Sequence, residues 1–244
     1  MKKTSLPIFC AALAAIFCSS AYGKAPSAAA VMTESRQEAM TPCDALRRLK
    51  EGNDRFVSGR PAHRDLLEQA RLTVAGQYPY AAIVSCLDSR TAPEQVFDAG
   101  IGDIFSARVA GNVVNDDIVG SLEYACEHSG AKLIAVIGHS SCGAVKGAVD
   151  RVKMGNLTGL LNKIEPAVAA AERETPGLRS PGDKLLVQRA AANNVALQMR
   201  AILKRSAILR SMLDKGEIAI VGGIQDLNTG KVTFTKPETG RNPG

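Results

Sequence analysis

Lys132-Leu133-Ile134-Ala135-Val136-Ile137-Gly138, continued directly by His139-Ser140-Ser141-Cys142-Gly143, is the stretch on which the fold turns. Its first part is a near-continuous apolar run, of the kind found in parallel strands covered on both faces. Three other runs read as strands: Tyr80 to Ser85, Ile104 to Ala110 and Ile218 to Gly222. Helical patterns lie between them, at about 93–98, 116–129, 143–153, 157–173 and 183–214. Strands alternating with helices predict an α/β fold, with a mainly parallel β-sheet flanked by helices. Gly223 to Phe234 contains the turn signal Asn228-Thr229-Gly230 and predicts one antiparallel edge strand.

Ahead of the first strand, Thr41-Pro42-Cys43-Asp44 supplies an N-cap, a proline at the first helical position and an early acid. Leu46, Leu49, Phe56 and Val57 give the helix that follows its apolar stripe, and Arg64 to Ala75 predicts a second helix. Residues 24–40 show no clear period and are expected to form a mobile N-terminal arm. Before them, Lys2 and Lys3 precede the apolar segment Leu6 to Phe17, and Ala21-Tyr22-Gly23 closes it with small outer residues. That pattern predicts a signal peptide over 1–23 and a periplasmic or secreted protein. The organisation expected is therefore signal peptide 1–23, arm 24–40, a domain over 41–236 and a C-terminal tail over 237–244.

The chain has 244 residues, 45% of them hydrophobic, enough for one well-packed domain or two small ones. No apolar run reaches the roughly 18 residues that span a bilayer. The formal charge of +6 falls to +4 without Lys2 and Lys3. That mild balance, with no basic block interleaved with aromatics, gives no argument for nucleic acid.

Two segments with polar chemistry follow strands: Ser85-Cys86-Leu87-Asp88-Ser89-Arg90 and Gly138-His139-Ser140-Ser141-Cys142-Gly143. Ligands of open α/β sheets bind beyond the carboxyl ends of strands, so both segments are expected at the same sheet edge. Cys86, His139 and Cys142 form a two-sulfur, one-nitrogen set suited to one Zn2+ per chain, and three protein ligands leave a fourth, catalytic position open. Asp88 and Arg90 are two apart, which puts them on one side of an extended chain, where a guanidinium can hold a carboxylate bidentately. The alternatives are a disulfide role for the cysteines and a plain surface salt bridge. His63 reads as an ordinary surface residue, His128 as a helix-end residue complementing the dipole, Cys126 as core, and the state of Cys43 is left open.

Those two segments closely resemble the signature pair of the β-carbonic anhydrases. The likeness runs on through Pro93-Glu94, Phe97-Asp98, Gly102-Asp103, Arg108, Ala110-Gly111-Asn112 and Gly120 to Ala125, and resumes at Asp226 to Gly230. The resemblance implies reversible hydration of carbon dioxide to bicarbonate and a proton by zinc-bound hydroxide. It also implies a homodimer or tetramer with an N-terminal helical arm embracing a second subunit and the site at the interface. By position it implies that Gln77 binds bicarbonate, that Phe105, Ala110 and Tyr124 line the substrate pocket, and that the Gly143 N–H faces the anion. One subgroup of that family closes at low pH, with help from bicarbonate held by a tryptophan, an arginine and a tyrosine. The matching positions here are Ile83, Arg108 and Gln225, so that regulation is not expected. The alternatives to carbon dioxide hydration are hydrolysis of carbon disulfide or carbonyl sulfide on the same fold, and a non-catalytic zinc-bound bicarbonate sensor.

Overall fold

A computed structural model describes residues 30–239. The expected signal peptide, residues 24–29 of the arm and residues 240–244 of the tail lie outside them. In chain order the elements are α1 (Glu34–Glu38), α2 (Pro42–Val57), α3 (Leu66–Leu72), β1 (Ala81–Ser85), α4 (Pro93–Val96) and β2 (Ile104–Arg108). A 3₁₀ turn (Ala110–Asn112) leads to α5 (Asp116–Glu123), which runs into a π-helical turn (Tyr124–His128). Then come β3 (Leu133–His139), α6 (Gly143–Val149), α7 (Gly155–Asn162), α8 (Glu165–Glu174), α9 (Lys184–Arg205), α10 (Ala207–Asp214), β4 (Ala219–Gln225) and β5 (Val232–Phe234).

The strands form one sheet in the order β2-β1-β3-β4-β5. The first four are parallel, and β5 is antiparallel to β4. Every residue of β1 and β3 is buried because both sheet faces are covered. Ala81, Ile83, Leu133 and Ala135 pack with Leu46, Leu49, Val96 and Phe97 from α2 and α4 and the turn after it. The alternate residues Ala82, Val84, Ile134 and Val136 pack with Leu122, Met199, Ile202 and Leu209 from α5, α9 and α10. Two apolar faces at period two make the unbroken apolar run seen in the sequence. Thr41 caps α2 as its sequence predicts: its Oγ1 accepts from the Asp44 N–H, and the Asp44 carboxylate accepts from the Thr41 N–H. Gly52 of α2 lies so close to the chain after α4 that a Cβ there would stand 1.9 Å from the Phe97 carbonyl oxygen.

The structure departs from the sequence reading in four places. The described part of the arm, residues 30–40, is packed rather than loose: Met32 and Gln37 are buried, and Gln37 Nε2 donates to the carbonyls of Pro79 and Ser129, both at 2.7 Å. The predicted helix 157–173 is two, because Pro166 in the first turn of α8 starts a new helix. The predicted helix 183–214 is also two. Buried Ser206 ends α9, and its Oγ accepts from the Leu209 N–H to cap α10 while donating to Glu123 at 2.6 Å. Finally, the domain does not stop at 236, since Glu238 pairs with Ile220 of β4 through N–H and carbonyl.

Candidate metal centre

The chain leaves β1 towards β2 on one side and returns past β1 to β3 on the other. That reversal opens a crevice beyond the carboxyl ends of β1 and β3. Cys86 is the residue after β1, and His139 is the last residue of β3. Cys142 follows after a tight turn through Ser141 (φ 56°) and caps the N-terminus of α6. The Ser140 N–H donates to the Gln225 carbonyl, and Ser140 Oγ accepts from the Leu227 N–H, so the end of β4 clamps this turn.

The three ligand atoms lie within 4.8 Å of one another and all three residues are buried. The sulfurs are 4.0 Å apart, twice the roughly 2.05 Å of a disulfide, so these thiols are not bonded to each other. Two zinc–sulfur bonds of about 2.3 Å at a tetrahedral angle set the sulfurs about 3.8 Å apart, close to what is observed. His139 Nδ1 is 3.0 Å from the Ser140 carbonyl, which accepts its proton and leaves Nε2 as the free lone pair. Nε2 is buried and has no hydrogen-bond partner. An orphaned buried nitrogen beside two thiols fits a cation-binding site. The Cys142 side chain, then His139 and the N–H groups of Asp88 and Gly111, hold the Cys86 thiol well below its ordinary range despite burial. Cys142, facing that sulfur and buried, is pushed up. A cation held there would favour both sulfurs as thiolates.

Asp88 accepts from Arg90 through both oxygens, with Nε to Oδ1 at 2.9 Å and an Nη to Oδ2 at 2.7 Å, and Oδ1 also accepts from the Arg90 N–H at 3.0 Å. The pair forms in a tight turn closed by the Thr91 N–H on the Asp88 carbonyl, not along the extended chain that the spacing suggests. A short polar side chain folding back on its own turn brings the two groups together instead. Arg90 holds the Asp88 carboxyl well below the usual range, against its partial burial. Oδ2 stands 3.9 Å from His139 Nε2, beside the three ligands. The loop is pinned from β2, where Arg108 donates to the carbonyls of Cys86 (3.1 Å) and Asp88 (2.6 Å).

A family model described as carbonic anhydrase matches residues 81–232. Carbonic anhydrase 2 of Mycobacterium tuberculosis is 38% identical over 199 residues, covering 79% of this chain and 92% of that protein. The carbonic anhydrase of Mycolicibacterium smegmatis is 38% identical over 201 residues, covering 78% and 92%. Among solved structures, the β-carbonic anhydrase CcaA superposes with a TM-score of 0.62 at 29% identity, covering 78% of this chain and 86% of that one. This chain belongs to the β-carbonic anhydrase family.

As a β-carbonic anhydrase it catalyses the hydration of carbon dioxide and uses zinc, and Cys86, His139 and Cys142 are positioned to bind a metal ion. Of the predicted pocket residues, Ala110 and Gly143 are local to that centre. Ala110 precedes Gly111, whose N–H donates to Cys86 Sγ at 3.3 Å, and Gly143 is exposed, with open space where a Cβ would be. Gln77, Phe105 and Tyr124 are elsewhere in the same chain. Phe105 pairs with Ala82, four positions before Cys86, which is about 13 Å along the strand. Its ring meets that of Tyr124 edge-on at 6.2 Å between centroids. Gln77 precedes β1 altogether and lies exposed beside Ile101 and Gly102. The sequence reading passed over Asn194 and Gln198, buried amides on α9 that bond to the turn behind Cys86. Their signal was present: two amides four residues apart on an otherwise apolar helix face.

Proposed function

We propose that Cys86, His139 and Cys142 hold a catalytic zinc with one open position, and that Asp88 directs the attack on carbon dioxide. The observation that carries this reading is the unpartnered Nε2 of His139 facing two thiols, with the Arg90-clamped Asp88 carboxylate beside it. Zinc bound there supplies a Lewis acid that brings the pKa of water from 15.7 to about 7. Asp88 stays ionised in Arg90's grip, so it accepts a hydrogen bond from the attacking oxygen and orients its lone pair. The Gly143 N–H donates to the developing anion. Ala110 contributes apolar wall around the uncharged substrate. Since the named relatives are carbonic anhydrases, neither a sulfur-analogue hydrolase nor a non-catalytic sensor is retained. A stopped-flow assay of the zinc-loaded protein across pH should show carbon dioxide hydration rising through a single ionisation. Hydrolysis of carbon disulfide without carbon dioxide hydration would sink this reading.

The working unit in this proposal is a homodimer or larger homo-oligomer. Phe105 stands about 13 Å along the strand from Cys86 and Gln77 lies ahead of β1, so in this reading a second copy brings them and Tyr124 to the centre. Two features support this: β2 is an edge strand with its residues only partly buried, and Tyr124 is 51% exposed for an aromatic residue. Light scattering at micromolar concentration is expected to give a dimer or tetramer, and a fully active monomer would refute it.

The proposal extends to export. Lys2 and Lys3, the apolar segment Leu6 to Phe17 and the small residues closing it support removal of about 23 residues. No helix among the described residues is long and apolar enough to cross a membrane. N-terminal sequencing of the native protein should begin near Lys24, whereas Met1 would exclude processing.

A further inference from the structure

We infer that Asn194 and Gln198 of α9 are positioning residues for the metal centre, acting on the sulfur of Cys86 through the Gly111 turn. This rests on the zinc reading above. The face that α9 buries is made of Leu186, Val187, Ala190, Ala191, Val195, Met199 and Ile202, with two exceptions. Asn194 is 0% exposed and Gln198 3%. Amides so deep are costly unless every polar atom is used. Here both are aimed at one short segment. Asn194 Nδ2 donates to the Gly111 carbonyl at 2.8 Å, and Gln198 Oε1 accepts from the Val114 N–H at 2.9 Å. Gln198 Nε2 donates to Asn194 Oδ1 at 2.9 Å and locks the two amides into one chain.

The segment they clamp is not one that the backbone would adopt unaided. Gly111 and Asn112 both have positive φ, 65° and 46°, and the second is not a glycine. A Cβ at Gly111 would stand 2.6 Å from Ile164 Cδ1, so the turn is also pressed against α8's start. The result of this conformation is one donor in one place: the Gly111 N–H on Cys86 Sγ at 3.3 Å. A hydrogen bond to a thiolate withdraws electron density from it. The sulfur then gives less charge to its cation, which remains a stronger acid towards water, and the sulfur competes less well for a proton. The chain from Gln198 through Asn194 to Gly111 therefore sets the electron-donating power of one ligand from outside the ligand shell.

The test uses the full-length protein loaded with zinc or with cobalt(II), whose sulfur-to-metal charge-transfer band reports on the thiolate. Asn194→Ala is expected to lower zinc affinity in a chelator competition by about 10- to 100-fold. It should also move the cobalt band to longer wavelength, because the sulfur is more electron-rich, and raise the midpoint of the pH–rate profile. Gln198→Leu, which keeps Asn194, should move all three in the same direction by less, and it carries the test if Asn194→Ala does not fold. Ile202→Ala serves as the control. It empties a core position on the same helix, away from the centre, and should lower thermal stability while leaving band, affinity and pH midpoint alone. If Asn194→Ala and Gln198→Leu lose stability like Ile202→Ala but keep the wild-type band and affinity, the residues are only structural and the inference fails. A wild-type protein that takes up no zinc and shows no cobalt band would overturn the metal assignment itself, a result distinct from wild-type behaviour of the variants.

Discussion

Cys142→Ser is expected to empty the centre and remove more than about 1,000-fold of the carbon dioxide hydration rate. The serine hydroxyl is neutral at working pH and is a poor zinc ligand beside a thiolate. Two donors, Cys86 and His139, cannot hold the ion through purification. Without it, water keeps a pKa of 15.7 instead of about 7, and the nucleophile at neutral pH all but vanishes. The fold should survive, because the Cys142 side chain makes no capping hydrogen bond to α6 and its volume changes little. Metal analysis of the purified variant, with circular dichroism as a check on folding, gives the answer. Wild-type protein should carry about one zinc per chain, and full zinc retention in Cys142→Ser would remove this residue from the ligand set.

Asp88→Asn should separate metal binding from its use. The amide has nearly the shape of the carboxylate but no charge for Arg90 to clamp, and its acceptor power is weaker. We expect zinc content to stay near wild type while hydration falls by about 10- to 100-fold. The sign of any pH effect follows from Asp88's depressed pKa. A lowered carboxylate pKa means the ion pair is fully formed above the ordinary aspartate value of about 3.9, and is lost only as pH falls through the lower folded value. Asp88 is therefore charged throughout the working range and adds no inflection near neutrality. It should also remain on Arg90. Ile83 is a fully buried apolar residue and Arg108 donates to the carbonyls of Cys86 and Asp88, so neither is free to hold a bicarbonate that would bias the pair. Crystals of the zinc-loaded protein near pH 7.5 with Asp88 on the metal and Arg90 released would contradict this, as would a Asp88→Asn variant of wild-type rate.

The amino-acid order by itself determined the α/β class, the antiparallel edge strand and the three residues that the fold brings together as a candidate metal centre. Apolar runs such as 132–138 carry their strand character locally, and a cysteine or histidine just past such a run must lie at the carboxyl edge of a parallel sheet. Asp88 and Arg90 were equally legible as a pair, although a turn rather than an extended chain joins them. Tertiary structure decided what depends on partners distant in sequence. Residues 30–40 have no periodicity to announce order, yet Gln37 finds carbonyls 42 and 92 residues away. Ser206 breaks what reads as one long helix because Glu123, 83 residues earlier, is there to take its hydroxyl. Phe105 is set at a distance from its own centre by strand register, which no local pattern encodes. Asn194 and Gln198 stand out as polar residues on a buried face, but only the folded chain shows what they hold, since a hydrogen bond across 83 or 84 residues is written in the packing of α9 against the sheet and not in either segment alone.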